Sequence, residues 1–96
     1  MTEPSGRPTL QGLLARGALV VDVRSAEEFA GGHTPGSLNL PLHLLPVLAE
    51  EQLPRDRPLL LCCASGARSA SAVQYLNRQG FEAYNLGAWR REPLVP

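Results

Sequence analysis

The chain has 96 residues, 44% of them hydrophobic and 19% charged, too few for two independent cores yet enough to fold without a metal or disulfides. That composition excludes a disordered chain, and no apolar run is long enough to span a bilayer. Nine basic side chains balance nine acidic ones, so no overall field draws in nucleic acid, an anionic membrane or a polyanionic substrate, and anion binding has to be local.

One domain over residues 1–96 is therefore expected, with residues 1–8 as a loose, Pro- and Gly-containing lead-in. This start lacks the charged end, long apolar run and cleavage site of a signal peptide, which points to a cytoplasmic protein. Thr9 is placed to cap a short helix carrying Leu10, Leu13 and Leu14 and closed by Gly17. Residues 18–23 form a short apolar, β-branched run, the pattern of a strand buried on both faces. Ser25 and Glu28 have the spacing of a capping box, which starts a helix that Gly31 and Gly32 stop. His33-Thr34-Pro35-Gly36 is turn chemistry, and residues 37–40 are a short strand candidate ahead of Pro41.

Residues 42–52 read as helical, with Leu44, Leu45 and Leu48 on one face and Pro46 acceptable only in a first turn. A connecting turn over 54–58 leads to residues 59–63, the most apolar run of the chain, expected to be the sheet's middle strand. Residues 67–79 are the best helix, ended by Gly80; residues 81–86 supply a last strand, and Gly87-Ala88-Trp89 a turn. Alternating strands and helices define an α/β sandwich with a mostly parallel sheet, in which active sites lie at the C-terminal ends of the strands. Cys63 falls at such an end.

The adjacent pair Cys62-Cys63 does not form the spaced framework of a secreted mini-protein, since a bridge between neighbours is strained, and a reducing compartment suits it better. Alternation along the strand turns the two side chains to opposite faces, so Cys62 is expected to be packing. Cys63 opens the loop Cys63-Ala64-Ser65-Gly66-Ala67-Arg68, whose small side chains leave the backbone exposed where strand turns into helix. With Gly66 free to take positive φ, successive N–H groups converge into a nest above the helix N-terminus, a setting that holds a cysteine as thiolate without a neighbouring base.

These residues resemble the single-domain rhodanese-like sulfurtransferases. The segment Val20-Val21-Asp22-Val23-Arg24 with Glu28-Phe29, followed by Gly32-His33-Thr34-Pro35-Gly36-Ser37-Leu38-Asn39-Leu40-Pro41, is similar to that family's first signature. Cys63-Ala64-Ser65-Gly66-Ala67-Arg68-Ser69 is similar to its active-site loop and Gly87-Ala88-Trp89 to its closing motif, with Ala64, Ala67 and Leu86 as departures. The resemblance implies a small three-layer sandwich whose central sheet is mostly parallel and five-stranded, with helices on both faces. It implies that Cys63 is catalytic, accepting sulfane sulfur as a persulfide from thiosulfate or a similar small donor and passing it to cyanide, a thiol or a protein thiol. Ala64, Ser65, Gly66, Ala67 and Arg68 are then the substrate-binding residues, and no cofactor is called for.

Roles within the loop stay open on sequence alone. Ser65 either adds a hydroxyl donor or satisfies the turn; Arg68 either attracts the anionic donor or, the favoured expectation, braces the loop through Asp22 or Glu28. Arg24 is a further candidate for guiding anions. His33 is expected to be a hydrogen-bonding strut and His43 a surface residue. Counting from Cys62 instead gives Cys62-x5-Arg68-Ser69, the loop length of a phosphatase or arsenate reductase, and a non-catalytic binding module is a third alternative. Two Cys and two scattered His lack the spacing of a zinc site.

Overall fold

Alternation along the middle strand decides the architecture. Leu59, Leu61 and Cys63 belong to one buried apolar cluster, and Leu60 and Cys62 to another, because successive side chains of an extended chain leave on opposite faces. A computed structural model describes residues 7–96, so most of the expected lead-in lies outside the described residues. Along these run α1 (Leu10–Ala15), β1 (Leu19–Asp22), α2 (Ala26–Ala30), β2 (Leu38–Asn39), a 3-10 turn (Leu42–Leu44), α3 (Leu45–Gln52), β3 (Leu59–Cys63), α4 (Ala67–Arg78) and β4 (Ala83–Ala88). The sheet order is β2-β1-β3-β4 and every pairing is parallel. Leu45 and Ala49 of α3 and Ala72 and Leu76 of α4 cover the face of Leu59, Leu61 and Cys63. Leu13 of α1 covers the face of Val20, Leu60 and Cys62. The expected three layers are present.

The sheet has four strands among the described residues, where five were expected. Pro8 makes only an isolated bridge: proline has no N–H to donate, so a ladder does not extend through it. A second departure concerns the last strand, which runs on through Gly87 and Ala88 in place of a turn. Its register against β3 slips by one residue, from Leu61↔Asn85 to Cys62↔Gly87. Leu86 is thus the extra residue of a bulge, and Gly87 at φ 92 supplies the left-handed conformation the bulge needs.

The local signals otherwise do what their chemistry dictates. Thr9 caps α1 by accepting from Gly12 N–H, and Ser25 and Glu28 complete the capping box of α2. The helical stretch after residue 42 is split into a 3-10 turn and α3, which places Pro46 in the first turn of α3, where its missing N–H costs nothing. Among the described residues no helix is long and apolar enough to cross a membrane.

At the C-terminal end of β1, Asp22 is fully buried and forms a fork with Arg24, whose Nε donates at 3.0 Å and Nη2 at 2.8 Å. Arg24 also donates to the Gly32 carbonyl at 2.7 Å and lies 4.5 Å from the centre of the Trp89 ring. Asn39 Nδ2 donates to the carbonyls of Asp22 and Arg24 at 3.0 Å each. Arg24 is therefore no guide for anions: its charge is neutralised and only 4% of the residue is exposed. The cluster fastens β1, β2, the turn after α2 and Trp89 together beneath the strand ends. Asp22→Ala leaves the guanidinium buried without a countercharge and is expected to cost about 3–5 kcal/mol. Denaturant unfolding checks this; a loss below about 1 kcal/mol would mean the pair is replaceable by water.

Candidate active site

β3 ends at Cys63, and α4 begins at Ala67 after a turn of only three residues, Ala64 to Gly66. The turn closes because Gly66 adopts φ 102 as the N-cap of α4. A Cβ built there would lie 3.4 Å from Gly87 Cα, so the dihedral more than crowding reserves the position for glycine. Gly66 N–H donates to Cys63 Sγ at 2.9 Å, and Ser69 Oγ lies 3.5 Å from the same sulfur. Burial of the thiol acts to raise its pKa. Hydrogen bonds from the Ser69 hydroxyl and from the backbone N–H groups of Ser69, Gly66 and Ser65 outweigh it, lowering Cys63 to about 7. The sulfur sits at the floor of the nest, with Ala64 and Ser65 exposed above it.

Cys62, one residue earlier, shows what the nest contributes. Its side chain lies in the opposite cluster, where burial first and the Asp22 carboxylate second push its thiol up to about 12. It is therefore a neutral thiol with its back to the loop, and the wider loop counted from Cys62 has no nucleophile at its start.

Arg68 pairs with Glu28, Nη1 to Oε1 at 2.7 Å and Nη2 to Oε2 at 3.1 Å. Of the two expected partners Asp22 is taken by Arg24. The Arg68 guanidinium, helped by the Ser25 N–H, holds the Glu28 carboxyl down to about 2. Both side chains of the pair are 39% exposed, so solvent screens it and it orients the loop rather than anchoring the fold. Beside it opens a cavity of about 320 Å³ lined by Val23, Ser25, Pro41, Leu42, His43 and Arg68. His43, expected on the surface, is exposed and lines this cavity. His33 is the expected strut: its Nδ1 lies 2.8 Å from the Phe29 carbonyl and its ring stacks on Phe29 at 3.7 Å.

Of the loop residues, Ser65 and Gly66 contribute N–H groups to the sulfur, Ala67 begins the helix, and Ala64 leaves the mouth open. Two residues escaped the sequence reading. Ser69 was seen only as part of a motif, although spacing three beyond the N-cap turns its hydroxyl back over the loop. Asn85, on the neighbouring strand, donates to the Gly66 carbonyl at 3.1 Å and accepts from Ser69 Oγ at 2.7 Å. Its signal was Asn85-Leu86-Gly87, an Asn two residues ahead of a glycine that bends back to it.

A parallel sheet covered on both faces, with a cysteine at the end of its middle strand and a tight turn of N–H groups leading into a helix, defines a class of α/β proteins that set a thiol in a backbone nest. Residues 7–90 match the rhodanese-like domain family, and the chain belongs to it. It is 43% identical over 81 residues to a sulfurtransferase of Allochromatium vinosum, covering 79% of this chain and 75% of that relative. It is 46% identical over 72 residues to the thiosulfate sulfurtransferase GlpE of Stutzerimonas stutzeri, covering 73% of this chain and 64% of the relative. Among solved structures, the human single-domain sulfurtransferase TSTD1 superposes with a TM-score of 0.68 over 95% of this chain and 90% of its own, at 30% identity.

The contrast between the two thiols is directly measurable. Alkylation by iodoacetamide should rise with pH through a midpoint near 7 and label Cys63 alone below pH 8, because only its thiolate is populated there, with Cys62 near 12. Peptide mapping that found Cys62 labelled as readily would contradict the assignment of faces.

Proposed function

We propose that the chain is a thiosulfate sulfurtransferase in which Cys63 takes sulfane sulfur from thiosulfate or a related donor and passes it to a thiol or to cyanide. The observation that carries this reading is the 2.9 Å contact from Gly66 N–H to Cys63 Sγ inside a prebuilt nest. The names of the relatives support it, GlpE above all. With its pKa lowered to about 7, Cys63 is substantially thiolate at neutral pH while keeping the nucleophilicity that a more acidic thiol loses. A reducing, cytoplasmic setting suits a site that must return to free thiol after each cycle.

In the first half of the reaction the Cys63 thiolate attacks the outer sulfur of thiosulfate. A new S–S bond forms, the S–S bond of thiosulfate breaks, and its electron pair leaves with sulfite. The product is Cys63-S-S⁻, with charge on the terminal sulfur. The backbone N–H groups of Ser65, Gly66 and Ser69 and the N-terminal end of α4 stabilise that charge without reorganising, the logic of an oxyanion hole. In the second half a thiolate or cyanide attacks the terminal sulfur, and the electron pair of the breaking bond returns to Cys63. Atoms and electrons balance without a cofactor. Arg68, held by Glu28, keeps the first turn of α4 in register with the loop.

Cys63→Ser should abolish thiosulfate-to-cyanide transfer, and Cys62→Ser should leave most of it, since only Cys63 faces the nest. p-Nitrophenyl phosphate should be turned over poorly because no thiolate begins the wider loop. Loss at Cys62 with Cys63 dispensable, or phosphatase turnover comparable with sulfur transfer, would refute the proposal.

A further inference from the structure

The Ser69 hydroxyl has one proton and three acceptors around it: Asn85 Oδ1 at 2.7 Å, the Gly66 carbonyl at 3.1 Å and Cys63 Sγ at 3.5 Å. The Gly66 carbonyl is already served by two other donors, Ala70 N–H at 3.0 Å and Asn85 Nδ2 at 3.1 Å, one for each lone pair. The contest for the proton is therefore between Asn85 and Cys63. Asn85 Oδ1 also accepts from Gly87 N–H at 2.9 Å, so it keeps a partner when Ser69 turns away. The arrangement is built by the bulge in β4: the register slip after Leu61↔Asn85 and the positive φ of Gly87 bring the Gly87 N–H back onto the Asn85 side chain.

We propose that Asn85 is a positioning residue for the reactive thiolate, acting through Ser69: it holds the Ser69 proton while Cys63 is a thiol and yields it to Sγ when Cys63 ionises. The thiol proton leaves to solvent, Ser69 keeps its own proton and rotates, and no bond other than S–H breaks. Giving up the 2.7 Å bond to Asn85 offsets part of what Ser69 contributes to the thiolate. Asn85 thus keeps Cys63 from becoming too acidic, in the range where thiolate population and nucleophilicity are both high. The ionisable groups that act on the thiol are Arg68 of α4, itself paired with Glu28, and the neighbouring Cys62, with Asp22 and Arg24, at and just beyond the end of β1, acting on Cys62 in turn. On β4 the group that reaches Ser69 is the neutral Asn85, so its replacement by Ala alters hydrogen bonding without altering charge.

The inference rests on reading Cys63 as the reactive thiolate, and its test titrates the sulfur directly with neither donor nor acceptor present, so a wrong reaction assignment and a wrong role for Asn85 are told apart. The pH dependence of Cys63 alkylation, localised by mass spectrometry, is compared in the full chain, Asn85→Ala, Ser69→Ala and the double variant. Asn85→Ala should lower the midpoint by about half a unit where Ser69 is present, and leave it unmoved in the Ser69→Ala background, the signature of coupling through one hydroxyl. A rise on Asn85→Ala, or the same shift in both backgrounds, would overturn the proposal and make Asn85 only a brace for the Gly66 carbonyl. Should Asn85→Ala fail to fold, Asn85→Asp keeps the size and a stronger acceptor; its upward shift should be larger with Ser69 than without it. Equal upward shifts would show charge acting alone and would likewise overturn the coupling.

Discussion

Everything at this site depends on one backbone constraint: the chain leaves the middle strand and enters α4 within three residues, and only the left-handed conformation of Gly66 lets it do so. That dihedral turns successive N–H groups inward and brings the Gly66 N–H to 2.9 Å from Cys63 Sγ. A thiol buried at a strand end would ordinarily be harder to ionise, and Cys62 is the internal control, pushed up to about 12 by burial and a nearby carboxylate. Cys63 suffers the same kind of burial and still falls to about 7, because its buried position is lined with donors. The same residue type at adjacent positions thus serves opposite ends, and the period of two along a strand separates them.

The rest of the fold holds that turn in place from three sides. From β4 and the residue after it, Asn85 and Trp89 tie the loop and strand end to the sheet's edge, Asn85 through the Gly66 carbonyl and Trp89 by donating its N–H to the Cys63 carbonyl at 2.9 Å. From α2, Glu28 carries both a capping-box bond to Ser25 and the fork to Arg68, so the start of one helix positions the start of another. From below, the buried Asp22–Arg24 pair with Trp89 over it fixes the ends of β1 and β2. Rigidity matters here because donors that are already oriented stabilise a sulfur anion at no cost in reorganisation.

The layers were legible because the apolar runs are short and strongly patterned. The shortness of residues 59–63 between Pro58 and Gly66 favoured a central strand over a helix, and the spacing of Ser25 and Glu28 was that of a capping box at a helix start. The sheet's edges were not legible. A strand count inferred from family likeness gave five, whereas Pro8 makes only an isolated bridge, and the bulge at Leu86 carried β4 into what read as a turn, since a positive-φ glycine marks either. At the site, the nest around Cys63 follows from Gly66 and the small residues beside it. Arg24 misled because its side chain type suits both an anion guide and a buried fork, and only the depth of Asp22 decides. Asn85 stayed hidden because its partners Gly66 and Ser69 are remote in sequence, and pairing across strands is set by register, which local patterns do not encode.

The central claim is that Cys63 carries the transferred sulfur. Intact and peptide-level mass after incubation with thiosulfate tests it most directly. The account predicts a gain of one sulfur atom, mapped by fragmentation to Cys63 and lost on adding cyanide with return of the free thiol. An unchanged mass, or the added sulfur on Cys62, would contradict it.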